Sequence, residues 1–147
     1  QDLNLVPGET NLFFEGTYLG KSYLDLASGS DTLSLSLGID KGISVKRTLV
    51  KEFSSRKFLG SNRTDEKSFE IIVRNNKNVP VNLIIEDQFP ISTTKEIEVS
   101  DVKHTDGELD KETKIVTWSY TIESKQQKKM ELKYSVKYPK EKKILLE

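Results

Sequence analysis

Apolar residues recur at every second position through much of the second half of this chain, and no other feature constrains the fold as strongly. Near the end of the chain, the apolar positions are Met130, Leu132, Tyr134, Val136 and Tyr138. Successive side chains of a β-strand point to opposite faces, so this rhythm predicts a strand with one buried face and one face in water. The same alternation predicts strands over residues 68–74, 79–85 and 116–122. No long segment keeps a helical period.

The first half of the chain contains shorter apolar patterns. Residues 11–18 are predicted to form one strand, and the alternating leucines of residues 33–37 predict another strand that ends at Gly38. Two further strands are expected over residues 43–50 and 53–59, after a turn rich in Asp, Lys and Gly.

Strands at intervals of about 8–12 residues, separated by Gly, Asn and Asp, are typical of β-sandwiches. We therefore predict an all-β fold, an antiparallel β-sandwich of the immunoglobulin-like kind with additional N-terminal strands. Residues 63–147 are expected to form the sandwich, and residues 1–62 a β segment that packs on it or extends it. The polar stretch 60–66 is the expected boundary. Because the chain begins with Gln1 rather than methionine, we expect a fragment of a larger protein.

The composition argues against several functional classes. The chain has no cysteine, so disulfides, thiolate metal sites and cysteine nucleophiles cannot form. Its single histidine, His104, makes a histidine metal site or a Ser-His-Asp triad hard to build. Lys and Arg together number 23, as do Asp and Glu, so no net charge attracts nucleic acid or an anionic membrane. We expect no catalytic residue, no cofactor, no metal, no nucleic-acid binding and no membrane insertion.

Three short motifs resemble ligand sites, and in each the spacing favours a structural interpretation. The segment from Gly16 to Gly20 has three residues between its glycines, whereas a phosphate-binding loop needs four, so a β-turn is favoured. The acidic stretch around Gly107 fails the spacing of a calcium loop, and a hairpin turn at 106–107 is preferred. The lysines of residues 128–143 are interpreted as a solvated or edge-protecting face, since no arginine lies among them.

The aromatic residues divide into regular and irregular groups. Trp118, Tyr120, Tyr134 and Tyr138 lie at positions expected to face the core, although a sugar-stacking platform is the alternative. Phe13 and Phe14 are neighbours, so a strand there would point one ring to each side. We therefore expect an exposed ring near the N-terminus, or one covered by another domain.

The residues 5–22, 73–77, 85–92 and 118–140 resemble the C-terminal domain of mucoidy-inhibitor-A-like proteins, a bacterial family of unknown function. The resemblance rests on an Asp-Gln-x-Pro element at 87–90 and a Tyr-Pro-Lys element at 138–140, in that order. It implies a periplasmic or cell-envelope protein with further domains upstream and a link to exopolysaccharide. It supplies no catalytic residues. The residues taken as a family signature or binding set are Phe13, Phe14, Tyr18, Arg74, Asp87, Gln88 and Pro90.

Three functional hypotheses follow. The first is a non-catalytic interaction domain that binds a protein partner or its own upstream domain. It is favoured because many strands show clear alternation and no set of residues forms a catalytic or metal-binding pattern. The second is a carbohydrate-binding module that uses exposed, roughly coplanar rings. The third and weakest is a hydrolase in which Asp87 acts with a distant acid. The neighbouring Glu86 cannot be that acid, because adjacent residues of a strand point to opposite faces.

Overall fold

The computed structural model describes residues 6–14, 16–24, 36–53 and 55–144. It divides into two compact units, Gln1–Lys41 and Gly42–Glu147. The strand predicted over residues 33–37 has its first three residues outside the described residues and stays a prediction. The described part of the chain is all-β with antiparallel pairing, which confirms the predicted fold class. None of its helices is long and apolar enough to cross a membrane.

The first unit contains a two-stranded hairpin of β1 (Gly8–Phe14) and β2 (Thr17–Leu24). The prediction of a single strand over residues 11–18 was therefore wrong. The chain reverses at Gly16, whose φ of +77° lies in a left-handed region that glycine adopts without a steric penalty. A single Gly carried this turn, and the apolar residues on both sides of it concealed the break.

A larger sheet forms one layer of the second unit. Its strands are β3 (Ile43–Leu49), β4 (Arg56–Leu59), β5 (Asn62–Asn75), β7 (Glu98–His104) and β10 (Gln127–Pro139). The order across the sheet is β3, β5, β10 and β7, and β4 also pairs with β5. Strands β3 and β4 pair with opposite ends of β5, and a 3₁₀ turn over Lys51–Phe53 separates them.

A smaller sheet of β6 (Val81–Gln88), β9 (Ile115–Ile122) and β8 (Glu108–Leu109) forms the second layer. Buried side chains of both sheets make one core, which gives the sandwich its two layers. The fully buried core residues of β9 and β10 include Val116, Trp118, Met130, Leu132, Val136 and Tyr138. The core positions predicted on these two strands are confirmed except for Tyr120, which is only partly buried. Val79 was wrongly expected to face the core, because β6 begins at Val81 and Val79 is exposed. The immunoglobulin-like topology stays a prediction.

The division between the units lies at Lys41 and Gly42, not at the predicted boundary between residues 62 and 63. Residues 62–75 form one continuous strand, and the strands at 43–49 and 56–59 pair along it. Polar residues at 60–66 suggested a boundary between two parts of the chain. They are instead a tight turn at 60–61 and the start of a strand, whose backbone groups are satisfied by neighbouring strands.

The segment after β7 carries the chain from the larger sheet to the smaller one. Asp106 and Gly107 lie in this crossing between β7 and β8, so the predicted hairpin turn at 106–107 was wrong. The hairpin lies further on, between β8 and β9, where the Asp110 side chain accepts hydrogen bonds from the backbone N–H groups of Glu112 and Thr113. These bonds hold the pKa of the Asp110 carboxyl below its usual value.

Candidate functional site

The β1–β2 hairpin presents one fully exposed face, which we call the aromatic face. Pairing along the hairpin sets Glu9 opposite Tyr23, Asn11 opposite Lys21 and Phe13 opposite Tyr18. Directly paired residues of an antiparallel ladder share a face. The aromatic face therefore consists of Glu9, Asn11, Phe13, Tyr18, Lys21 and Tyr23, all of which are exposed.

Side chains of the aromatic face contact one another along its length, from the tip of the hairpin to its base. At the tip, the Phe13 and Tyr18 ring centroids lie 5.3 Å apart with an interplanar angle of 55°. The Tyr18 hydroxyl donates to Asn11 Oδ1 at 3.4 Å. Towards the base, the Lys21 ammonium donates to the Glu9 carboxylate at 2.9 Å. The face thus combines exposed rings with hydrogen-bonding and charged groups.

The opposite face of the hairpin is more sheltered. Thr10, Leu12 and Ser22 are partly buried, and Leu24 is buried. Phe14 lies at the tip of this face and is 52% exposed. Phe13 and Phe14 therefore point to opposite sides, as their adjacency predicted, and both rings reach solvent.

The predicted residues Asp87 and Gln88 end β6 and have structural partners. Asp87 Oδ2 accepts from Arg47 Nε of β3 at 2.8 Å, and Asp87 Oδ1 accepts from the Gln88 backbone N–H at 2.8 Å. The Gln88 side-chain amide donates to the Thr113 carbonyl at 2.7 Å. Both carboxylate oxygens of Asp87 are thus engaged, and its ion pair joins the two sheets.

The aromatic cluster beneath this ion pair belongs to the core. The Arg47 guanidinium lies 3.7 Å from the centroid of the Phe69 ring. The Phe69 and Tyr134 rings stack with their centroids 6.0 Å apart, and the Tyr134 and Phe89 rings form a T-shaped pair with centroids 6.1 Å apart. Burial raises the pKa of the Tyr134 phenol, and the nearby Asp87 carboxylate raises it further, against a lowering by Arg47.

The remaining predicted residues, Arg74 and Pro90, belong to the second unit. Arg74 is exposed near the end of β5, and Pro90 follows the buried Phe89. Pro90 lines a small apolar depression of about 300 Å³. The other residues that line it are Ile91, Ser92, Thr93, Ile97, Val99, Val136 and Ile144.

Several of the C-terminal lysines form ion pairs with nearby glutamates. Lys129 lies 2.5 Å from Glu70, Lys133 lies 3.4 Å from Glu131, and Lys142 pairs with Glu96. The Glu70 carboxylate raises the pKa of Lys129. A solvated face was the favoured interpretation of this stretch, and these ion pairs agree with it.

The described residues contain no cluster of three or more His, Asp or Glu side chains that could hold a metal ion. His104 is partly buried, and its Nδ1 lies 3.2 Å from the Thr105 carbonyl. Trp118 is buried and donates its indole N–H to the same carbonyl at 2.8 Å. Both residues therefore fasten the crossing between the sheets.

One family comparison accounts for most of the chain. The family described as "domain of unknown function (DUF4139)" matches residues 5–140. The chain belongs to this family. Neither the search of curated proteins nor the search of solved structures found a match.

The match to this domain family spans both the hairpin and the sandwich. The family description names no ligand, so a proposal about binding depends on the geometry of the surface. Sequence reasoning found Phe13 and Tyr18 but missed Tyr23 and Lys21 as members of the same face. A turn at Gly16 alone, with Phe14 opposite Thr17, would set Gly20 opposite Asn11, and only a register shift between Leu12 and Phe13 brings Lys21 and Tyr23 onto this face.

Proposed function

We propose that this is a non-catalytic interaction domain that binds a protein partner through the aromatic face of the β1–β2 hairpin. The observation that carries the proposal is the exposure of three rings on that one face, 65% for Phe13, 52% for Tyr18 and 65% for Tyr23. Several large rings exposed on one face are characteristic of a binding surface. Tyr and Phe are enriched at protein interfaces because they offer a large contact area at a small entropic cost.

The polar members of the face suit a protein partner. Asn11 offers amide groups, and Lys21 and Glu9 form an exposed ion pair that a partner's charges can replace. Such rim groups add register and specificity more than affinity. The partner can be a separate protein or an upstream domain of the same chain, since either presents the same chemistry.

A carbohydrate is the second candidate, and the observation that favours it is the Tyr18 hydroxyl beside Asn11 on an exposed aromatic strand pair. Stacking on a sugar requires rings that lie roughly in one plane. The 55° angle between the Phe13 and Tyr18 rings does not offer such a platform. The protein partner is therefore preferred.

The same proposal includes a cellular setting. The resemblance to mucoidy-inhibitor-A-like proteins at residues 87–90 and 138–140 supports a periplasmic or cell-envelope location. The Asp87 ion pair supports a structural role for these signature residues, because it joins β3 to β6.

Crosslinking in the full-length protein tests the proposal. A photo-crosslinking amino acid at Tyr23 is expected to capture a partner, and the purified partner is expected to bind the unmodified protein. The double variant Phe13→Ser with Tyr18→Ser should weaken that binding by about tenfold or more, as expected for interface anchors. A matched control is Ile84→Ser, which changes an exposed residue of β6 that is 74% exposed.

Two results would overturn the proposal. One is a captured partner whose affinity is the same for the hairpin double variant and the wild type. The other is glycan binding that depends on Phe13 and Tyr18 while no protein is captured, which would assign the face to carbohydrate.

A further inference from the structure

The end strand β3 has backbone groups that point away from its sheet. Gly42 O accepts from the Asn76 N–H, and the Val50 N–H donates to Ser68 O, both at 2.8 Å across to β5. The N–H and C=O of one residue in an antiparallel strand point to the same side, and the side alternates along the strand. The odd-numbered residues of β3 therefore direct their backbone groups away from β5. In the described residues no strand pairs with that edge.

The side chains of the same odd-numbered residues lie on the core face of the sheet. Val45 pairs with Val73, and Leu49 pairs with Phe69. The β5 partners are buried, yet Val45 is 63% exposed and Leu49 is 37% exposed. Neighbouring strands are only about 4.8 Å apart, so burial by the smaller sheet falls off between β5 and the adjacent strand β3. Val45 and Leu49 therefore form an exposed apolar ledge on β3, whereas Ile43 at the start of the strand still packs against the core.

Arg47 divides this ledge into two apolar positions. It lies between Val45 and Leu49 on the same face, and its charge is balanced by Asp87. On the other face of β3, Lys46 is exposed and has no ion pair among the described residues. The strand contains two cations and no acid, so a second copy of the same edge would place cations against cations.

We propose that β3 binds an extended segment of a partner protein as an added antiparallel strand, with apolar residues opposite Leu49 and Val45 and an acidic residue opposite Lys46. Main-chain hydrogen bonds to the odd-numbered residues would hold the segment, and alternate side chains would select it. Read from its N-terminus, the segment has an apolar residue, two small or polar residues, an acid and a second apolar residue. This edge belongs to the second unit, so the proposal does not depend on the aromatic face.

The probe is a fluorescent nine-residue peptide with the central sequence Val-Thr-Ser-Glu-Val, titrated into the full 147-residue chain and followed by fluorescence anisotropy. Val45→Pro removes one outward N–H and no hydrogen bond to β5, since proline is compatible with the open side of an edge strand. We expect it to weaken binding by about fivefold or more. The control Ile84→Lys should bind normally.

A charge exchange tests the register. Lys46→Glu should lose the Val-Thr-Ser-Glu-Val peptide and gain the peptide in which Lys replaces Glu. Circular dichroism and thermal melting establish that each variant is folded, and the hairpin variants at Phe13 and Tyr18 should bind the peptide as the wild type does. A negative result in these peptide-binding experiments would not affect the separate proposal that the aromatic face binds a protein partner.

Three outcomes overturn the proposal. The first is the absence of peptide binding by the wild-type chain. The second is equal binding by folded Val45→Pro. The third is a concentration-dependent dimer in sedimentation velocity that Val45→Pro abolishes, which would make a second copy of the chain the occupant of the edge.

Discussion

Arg47 and Asp87 join the two sheets of the sandwich, because Arg47 Nε on β3 lies 2.8 Å from Asp87 Oδ2 on β6. The guanidinium also covers the ring of Phe69, so one side chain binds a carboxylate and shields the edge of the core. Partly exposed ion pairs of this kind contribute modestly to stability, and the apolar stem of the arginine contributes packing as well.

We expect Arg47→Met to reduce the free energy of unfolding by about 1–2 kcal/mol, since it removes a charge-assisted hydrogen bond. Urea denaturation of this variant, of Asp87→Asn and of the double variant forms a mutant cycle. The neighbouring Lys46→Met provides the control, because Lys46 is exposed and should change stability little. Equal losses from Lys46→Met and Arg47→Met would contradict the role of the ion pair.

Asn75 is fully buried and links the end of β5 to the β5–β6 loop and to the end of β9. Its side-chain Nδ2 donates to the carbonyls of Val79 and Ile122 at 2.8 and 3.0 Å, and its Oδ1 accepts from the Lys77 N–H. Asn75→Asp would replace this donor by an oxygen that faces carbonyl oxygens. A loss of about 2–4 kcal/mol is expected, because a buried charge would lack its hydrogen bonds.

The Asn75→Asp penalty should depend on pH. Repulsion by the carbonyl oxygens raises the pKa of the new carboxyl in the folded state above its unfolded value, so the penalty is small at low pH and grows as pH rises through that unfolded value. Denaturation at several pH values measures this trend. The exposed neighbour provides a control as Asn76→Asp, and a pH-independent loss at residue 75 would refute the explanation.

Gly107 lies where no side chain fits. A Cβ at this position would lie 2.7 Å from both Trp118 Nε1 and Val116 Cγ1. Gly107→Ala would displace Trp118 from its hydrogen bond to Thr105, and a loss of about 2–4 kcal/mol is expected from overpacking and the unpaired N–H.

Fluorescence reports this change directly, because Trp118 is the only tryptophan of the chain. The emission of Gly107→Ala should shift to the red, and its urea midpoint should fall. Gly8→Ala is the matched control, since nothing lies within 4 Å of its added Cβ. An unchanged Trp118 emission in folded Gly107→Ala would count against this packing.

We expect the buried phenol of Tyr134 to make the stability of the folded domain depend on pH in the alkaline range. Its phenol has a pKa raised by burial, so the folded state keeps the proton at pH values where the unfolded chain has lost it. The contribution of Tyr134 to stability is therefore complete below the unfolded pKa and is lost as pH rises through that value towards the folded pKa. Tyr134→Phe should flatten the fall in stability above about pH 10, the ordinary tyrosine pKa.

Guanidinium denaturation from about pH 8 to about pH 11.5 measures how the free energy of unfolding changes with pH. This range spans the ordinary pKa values of tyrosine and lysine. Tyr18→Phe provides the comparison, because Tyr18 is exposed on the hairpin. Identical slopes for Tyr134→Phe and the wild type would show that another group is responsible for alkaline unfolding.

The alternation of residues determined the strands of the sandwich and their buried faces. Phe69, Val116 and Leu132 lie in the core because a period of two leaves each strand one apolar face, and only a second layer of the same kind can bury it. The end of β6 before Pro90 was also readable, since proline supplies no backbone donor. These features depend on residues close together in the chain, so they can be predicted from the sequence.

Tertiary structure alone decided which strands became neighbours and which apolar residues stayed exposed. Val45 and Val73 look alike in sequence, but the smaller sheet covers only Val73. Gly107 resembled a hairpin turn, but it lies between the sheets against Trp118. Burial depends on what the opposite layer covers, and the extent of that layer is set by contacts between residues far apart in the chain.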